Sequence, residues 1–172
     1  MKEKIELARQ SRLPLFVQNS FDVNIPWQDF IDNINTSYVE DSDQQEKIGI
    51  KFGKMGNIRF YDRLTMVIDY AAKFPYTGLD KITNQISSYG LNIFATMSLI
   101  SLTNHEETTS RHSDPYDVFY LQCIGSAQWS VWDNNTENTF VLNPGDFIFV
   151  PSDLTHEVKS LSPRSALSFM VR

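Results

Sequence analysis

His112, Asp114 and His156 are two imidazoles and one carboxylate, residue types that bind divalent transition metals. Two histidines and one carboxylate on one side of an octahedron leave the other positions open. Such a site suits non-haem iron(II), with room at the ion for a chelating co-substrate and for dioxygen. Alternate side chains of a β-strand share a face, so the His-x-Asp spacing predicts that His112 and Asp114 point the same way. His156, from a distant strand, would close the site. Bound to a divalent cation, Asp114 would be ionised and both imidazoles neutral. A histidine taken alone is more often a surface or hydrogen-bonded residue, and that is the expectation for His105.

Rigid elements must hold these ligands. Gly145 permits a tight turn, and the apolar run Phe147 to Val150 that follows suits a strand buried on both faces. From Gly90 onward, short runs rich in β-branched and aromatic residues alternate with Asn, Asp, Gly and Pro. Strands are predicted over 92–102, 116–123, 127–132, 138–141, 146–150, 155–160 and 165–171, with no helices between them, which indicates an antiparallel sandwich or barrel. The first half reads differently. Helical spacing predicts helices over 2–12, 26–35, 63–74 and 79–87, the third from Leu64, Val67, Ile68 and Ala71. A short strand is expected over 13–17, a loop over 37–45, and a hairpin from 47–52 and 57–61. The fold class expected is mainly β, a jelly roll or double-stranded β-helix with N-terminal helices packed outside. One domain over 1–172 is expected, with a helical and hairpin layer over 1–90 and a barrel core over 91–172.

With 172 residues, 41% of them hydrophobic, the chain can bury a substantial core. A net charge of -6 disfavours nucleic acid and anionic membranes as partners. Apolar runs are too short to span a bilayer, and residues 1–15 lack the apolar centre of a signal peptide. A cytoplasmic protein is expected. The single Cys123 excludes an intramolecular disulfide and fits a buried strand position. A homodimer through the helices or an exposed sheet edge is compatible with the sequence.

Two stretches carry a family likeness. HSDPYDVFYLQCIG, from His112 to Gly125, and PGDFIFVPSDLTHEV, which contains His156, resemble the motifs of the cupin superfamily and, within it, of the Jumonji-C-like and related Fe(II)/2-oxoglutarate oxygenases. In the second motif Asp153 stands where a glycine is usual. The resemblance implies a cupin-type barrel, iron(II) held by His112, Asp114 and His156, and 2-oxoglutarate as co-substrate. It implies hydroxylation of an unreactive C–H bond in a protein side chain or a small molecule, with no protein acid or base required.

The chain departs from the family where the distal carboxylate of 2-oxoglutarate is usually anchored. Jumonji-C-like enzymes place a Lys or Arg at the position of Ala127, and some an asparagine at that of Val118. Prolyl-hydroxylase-like enzymes instead take the cation from the last core strand, where this chain has Arg164 followed by Ser168 on the same face. A planar guanidinium suits bidentate carboxylate recognition. Thr109 matches a hydroxyl used by some Jumonji-C-like members. Lys159 and Arg59 are further cations. If the strand after His112 runs unbroken, Tyr116, Tyr120 and Gln122 share its face and line a substrate pocket; a bulge near Pro115 would invert this. A metal cupin enzyme that does not use 2-oxoglutarate, or a non-catalytic cupin-fold binding module, are the alternatives. No further recognition domain is expected after the last strand.

Overall fold

The computed structural model describes residues 1–35, 38–39, 57–61, 65–69, 78–102, 106–133 and 136–172, with the side chains of 33–39, 57–61, 65–69 and 106–110 left out. Helix α1 (Lys2–Ser11) leads into strand β1 (Leu15–Val17) and helix α2 (Trp27–Asn35). Strands β2 (Tyr38–Val39), β3 (Asn57–Tyr61) and β4 (Thr65–Asp69) precede helix α3 (Leu79–Ser88). The remainder is β: β5 (Ile93–Ser101), β6 (Glu106–His112), β7 (Asp117–Ile124), β8 (Ala127–Asp133), β9 (Thr136–Leu142), β10 (Phe147–Val150), β11 (Thr155–Ser160) and β12 (Arg164–Val171). A larger sheet has the order β1-β10-β7-β12-β5-β4-β3-β2, and a smaller one β6-β11-β8-β9. All pairs are antiparallel except β2 with β3. This is the expected jelly roll with helices outside.

Strands β10, β7 and β12 of the larger sheet are buried on both faces, which explains their continuous apolar runs. Phe119, Leu121, Phe147, Phe149, Leu167 and Phe169 face the helical layer, packing with Ile5 of α1, Phe30 of α2 and Ile82 and Ile86 of α3. Their neighbours Val118, Tyr120, Ile148, Val150 and Ala166 face the other way, into the barrel, where Ala127, Trp129, Val131 and Val158 meet them from the smaller sheet. Cys123 lies on the helical side, its thiol pKa pushed well up by burial. No described helix is long and apolar enough to cross a membrane.

Two glycines are required by the backbone. Gly125, between β7 and β8, has φ +66°, and a Cβ there would sit 2.1 Å from the Pro163 carbonyl oxygen. Gly145 has φ +89°, and a Cβ would meet the Phe21 carbonyl at 2.6 Å. Only glycine enters these positions without displacing backbone.

The structure corrects two expectations in the N-terminal half and one beyond it. Residues 65–69 are strand β4, not part of a helix: they pair with β3 on one side and β5 on the other. Thr65, Val67 and Ile68 are β-branched, and over so short a run the helical period was fortuitous; pairing along β5 decided the conformation. Tyr38–Val39 falls inside the expected loop yet pairs with β3. Residues 57–61 form the expected strand and pair with β4; residues 47–52, their expected hairpin partner, lie outside the described residues. Strand β6 was not expected because EETTSRH has no apolar residue. Its place is set by backbone pairing at the edge of the smaller sheet.

Candidate metal centre

Strands β6 and β11 bring the two histidines together. His112 ends β6 and lies directly opposite His156, near the start of β11. The ring centroids are 4.4 Å apart. Past this pair the register slips between His156 and Val158, a bulge beside the site that leaves His112 aimed at its partner while the rest of β6 follows β11. Asp114 arrives differently from the expectation. It lies beyond the end of β6, in the turn that leads to β7, so the turn and not strand alternation directs its carboxylate. Asp114 Oδ2 is 3.5 Å from His156 Nε2 and 3.9 Å from His112 Nε2, and the three ligand atoms all lie within 4.8 Å of one another. This is the one such group among the described residues; His105 lies outside them.

The donor chemistry fits a cation. His156 Nδ1 is 3.0 Å from the Leu154 carbonyl oxygen, which can only accept, so Nδ1 carries the hydrogen and Nε2 presents a lone pair. Burial holds the His156 pKa below its usual value, with the approach of His112 acting the same way, so the ring is neutral. Its lone pair therefore faces a carboxylate oxygen, an arrangement that a divalent ion between them turns from repulsive to attractive. Two donors bonded to one ion at about 2.1 Å and a right angle stand about 3 Å apart, so the 3.5 Å gap needs only slight closure. The carbonyl behind Nδ1 and the Trp129 indole, stacked on the ring at 5.3 Å and 23°, fix the plane of His156.

The ligand-bearing turns are tied to each other and to α1. The Asp153 N–H donates to the Asp114 carbonyl at 2.7 Å. Asp117, at the start of β7, accepts the Ser152 N–H at 2.8 Å on one oxygen and pairs with Arg9 Nε at 2.5 Å on the other. Arg12 donates to the Ser152 carbonyl at 2.7 Å. Asp153 has φ +62°, which accounts for the glycine usual at that position.

Below the triad the barrel interior holds a cluster of buried polar side chains. Arg164 is 1% exposed and is the largest fully buried side chain among the described residues. Its Nε donates to Ser160 Oγ at 2.8 Å, and Nη1 to the Tyr120 hydroxyl. Ser160 Oγ donates in turn to Ser101 at 3.0 Å. Tyr120 donates to Gln122 Oε1 at 3.3 Å, while Gln122 Nε2 is committed to the Ile124 and Ser165 carbonyls. Burial raises the Tyr120 pKa despite the nearby guanidinium, so the phenol keeps its proton. Ala127, the position where a cation is usual, is directly opposite Ser160 in the β8–β11 pair. Arg164 thus reaches from β12 to the hydroxyl beside Ala127.

The other sequence candidates fall in different places. Strand β7 begins at Asp117, so Tyr116 lies in the turn before it, half-buried against the barrel-side cluster that contains Tyr120. It packs edge-on against Phe94 and lines a surface cleft of about 490 Å³ with Arg9, Pro115 and Arg172. Val118 is a buried apolar residue of the barrel interior. Ser168 is buried opposite Tyr120. The backbone of Thr109 lies opposite Val158 in β6, and its side chain is outside the described set. Lys159 pairs with Glu157 at 3.2 Å and alternates with the inward His156, Val158 and Ser160, so it faces outward. Sequence reasoning missed Ser160, Trp129 and the Arg9–Asp117 pair. Parity with His156 was the available signal for Ser160; the long-range pair left none.

Comparison with known proteins agrees with the fold. No curated protein matches the sequence. Among solved structures, YcfD, a ribosomal oxygenase from Escherichia coli, in complex with cobalt and succinic acid, is 18% identical with a TM-score of 0.66, covering 100% of this chain and 51% of that one. The same protein in complex with cobalt and 2-oxoglutarate gives 17% identity and a TM-score of 0.65, covering 100% and 52%. At this identity the likeness is one of fold, and the chain spans about half the length of the structures it matches. Residues 70–172 match the family model described as the JmjC domain, and with more than half its length inside that match the chain belongs to the JmjC domain family.

Proposed function

We propose that the chain is an iron(II)- and 2-oxoglutarate-dependent oxygenase that hydroxylates a protein side chain. The observation that carries this reading is the pairing of an open-sided His112, Asp114, His156 triad with a buried guanidinium, Arg164, inside the same barrel. Membership of the JmjC family and the fold shared with a ribosomal oxygenase support it, and the latter favours a protein over a small-molecule substrate.

His112, Asp114 and His156 would hold the iron, with the remaining positions left to co-substrate and dioxygen. Bound iron(II) would supply the coupled oxidation in which 2-oxoglutarate, dioxygen and a C–H bond become succinate, carbon dioxide and a C–OH group. The protein's own work is placement. Arg164, oriented by Ser160 and Tyr120, is the cation for the distal carboxylate, replacing the one that Ala127 does not provide. Ala127 leaves room for it. The apolar wall of Val118, Trp129, Val131 and Val158 keeps bulk water from the interior, which strengthens that ion pair.

Anaerobic titration of the protein with iron(II) and then 2-oxoglutarate tests the reading. Expected are one iron per chain, 2-oxoglutarate binding that requires the metal, and succinate on admission of oxygen with a peptide hydroxyl acceptor. Iron bound without any affinity for 2-oxoglutarate would transfer support to a metal cupin of different chemistry, which the alanine at position 127 also allows. No metal binding would leave a non-catalytic module.

A further inference from the structure

The barrel interior contains one donor that nothing above uses. Trp129 is 3% exposed, and its indole Nε1–H is buried without a hydrogen-bond partner. A buried N–H left unpaired loses its hydration without compensation, and native proteins seldom keep one without a reason. Its position supplies the reason. Trp129 stacks on the metal-ligand candidate His156 with one part of its surroundings and meets Tyr120 with another, at 4.7 Å and 63°. In the β8–β11 pair it is opposite Val158, halfway between His156 and Ser160, so it occupies the level between the triad and Arg164.

The Tyr120 oxygen marks where the donors converge. It accepts from Arg164, and its own hydrogen is directed to Gln122. The indole N–H lies near enough to pull against the burial-raised pKa of that phenol, as Arg164 does, although its geometry is not that of a hydrogen bond. A guanidinium and an indole N–H flanking one phenol are donors suited to an anionic oxygen brought beside them.

We propose that the Trp129 indole N–H donates a hydrogen bond to the distal carboxylate of the bound 2-oxo acid, so that Trp129, Tyr120 and Arg164 together select a dicarboxylate. This rests on the oxygenase reading above. It adds a specificity consequence: a monocarboxylate 2-oxo acid leaves the N–H and the guanidinium unanswered, and a site built around buried donors rejects a ligand that cannot pair them.

Trp129→Phe removes the donor and keeps an aromatic ring over His156. On zinc(II)-loaded protein, isothermal titration should show 2-oxoglutarate binding weakened about tenfold, with affinities for zinc and for 2-oxobutanoate changed less than about twofold. Loss of packing alone would weaken both acids equally, and that result would overturn the proposal. The chain has three tryptophans, so the indole signal missing from the spectrum of ¹⁵N-labelled Trp129→Phe identifies Trp129. That signal should move downfield when 2-oxoglutarate is added to the unsubstituted protein, a measurement that holds even if the variant does not fold. A stationary signal with 2-oxoglutarate bound would refute the hydrogen bond while leaving the oxygenase reading intact. Failure of the metal-loaded, unsubstituted protein to bind 2-oxoglutarate would overturn that reading and this inference with it.

Discussion

Replacing Arg164 by methionine keeps a long side chain in the barrel and removes its charge and its donors. In the intact protein the guanidinium is 1% exposed, held by Ser160 and Tyr120. A carboxylate brought beside it is desolvated with it, and truncating one partner of such a pair costs roughly 2–5 kcal/mol, about 30-fold to several thousand-fold in affinity. Metal binding should respond quite differently. His156 and Ser160 are four residues apart on β11, about 13 Å at 3.3 Å per residue, with Trp129 packed at the level between them. Sites more than about 7–10 Å apart without shared partners couple by no more than about 0.5 kcal/mol, roughly twofold in affinity. Calorimetric titrations of cobalt(II), and of 2-oxoglutarate into the cobalt-loaded protein, separate the two quantities, with thermal unfolding as the control for folding. The double variant Ala127→Arg, Arg164→Met restores a cation opposite Ser160 from the neighbouring strand and should recover at least about tenfold of the lost affinity. A fall in 2-oxoglutarate affinity of less than about fivefold, or a parallel loss of cobalt affinity, would refute the assignment of Arg164.

His112→Ala should abolish stoichiometric cobalt binding while changing thermal stability little, because the His112 side chain is 40% exposed and packs little core; unchanged cobalt affinity would remove it from the ligand set. Arg9→Ala breaks the pair with Asp117, whose other oxygen holds the Ser152 N–H. It should cost about 1 kcal/mol in chemical denaturation and weaken cobalt binding several-fold, whereas Arg9→Lys should restore part of the affinity; full metal affinity in Arg9→Ala would show that α1 does not position the site. Gly125→Ala drives a Cβ into the Pro163 carbonyl at φ +66°, so a loss of more than about 2 kcal/mol is expected from urea unfolding; a variant as stable as its parent would show that the two turns separate readily.

The candidate triad and the barrel around it were legible for a local reason. Short β-rich runs, the Pro144–Gly145 turn and the apolar stretch before Pro151 each state their conformation within a few residues. Strands β5 and β7 to β12 accordingly lie close to the expected bounds. β6 was hidden because an edge strand of polar residues carries no hydrophobic pattern, although one of the histidines ends it. β4 was misread because a five-residue segment cannot separate helical from strand periods. The break between His112 and β7 left Tyr116 in the turn before β7, packed against the cluster of Tyr120 while also lining a surface cleft.

The sequence by itself determined the chemistry on offer: two imidazoles, a carboxylate, a late arginine, and an alanine where a cation is usual. Composition and local pattern carry residue type and strand tendency, and those suffice for that much. Which donors face one another was decided only in the tertiary structure, because the contacts join residues far apart in the chain. His112 meets His156 through strand pairing, Asp114 reaches them from a turn pinned by Asp153, and Arg164 meets Tyr120 and Ser160 across the closed barrel. Closure of the two sheets over one another turns a dispersed set of polar residues into a buried site, where each pairing gains strength from the exclusion of water.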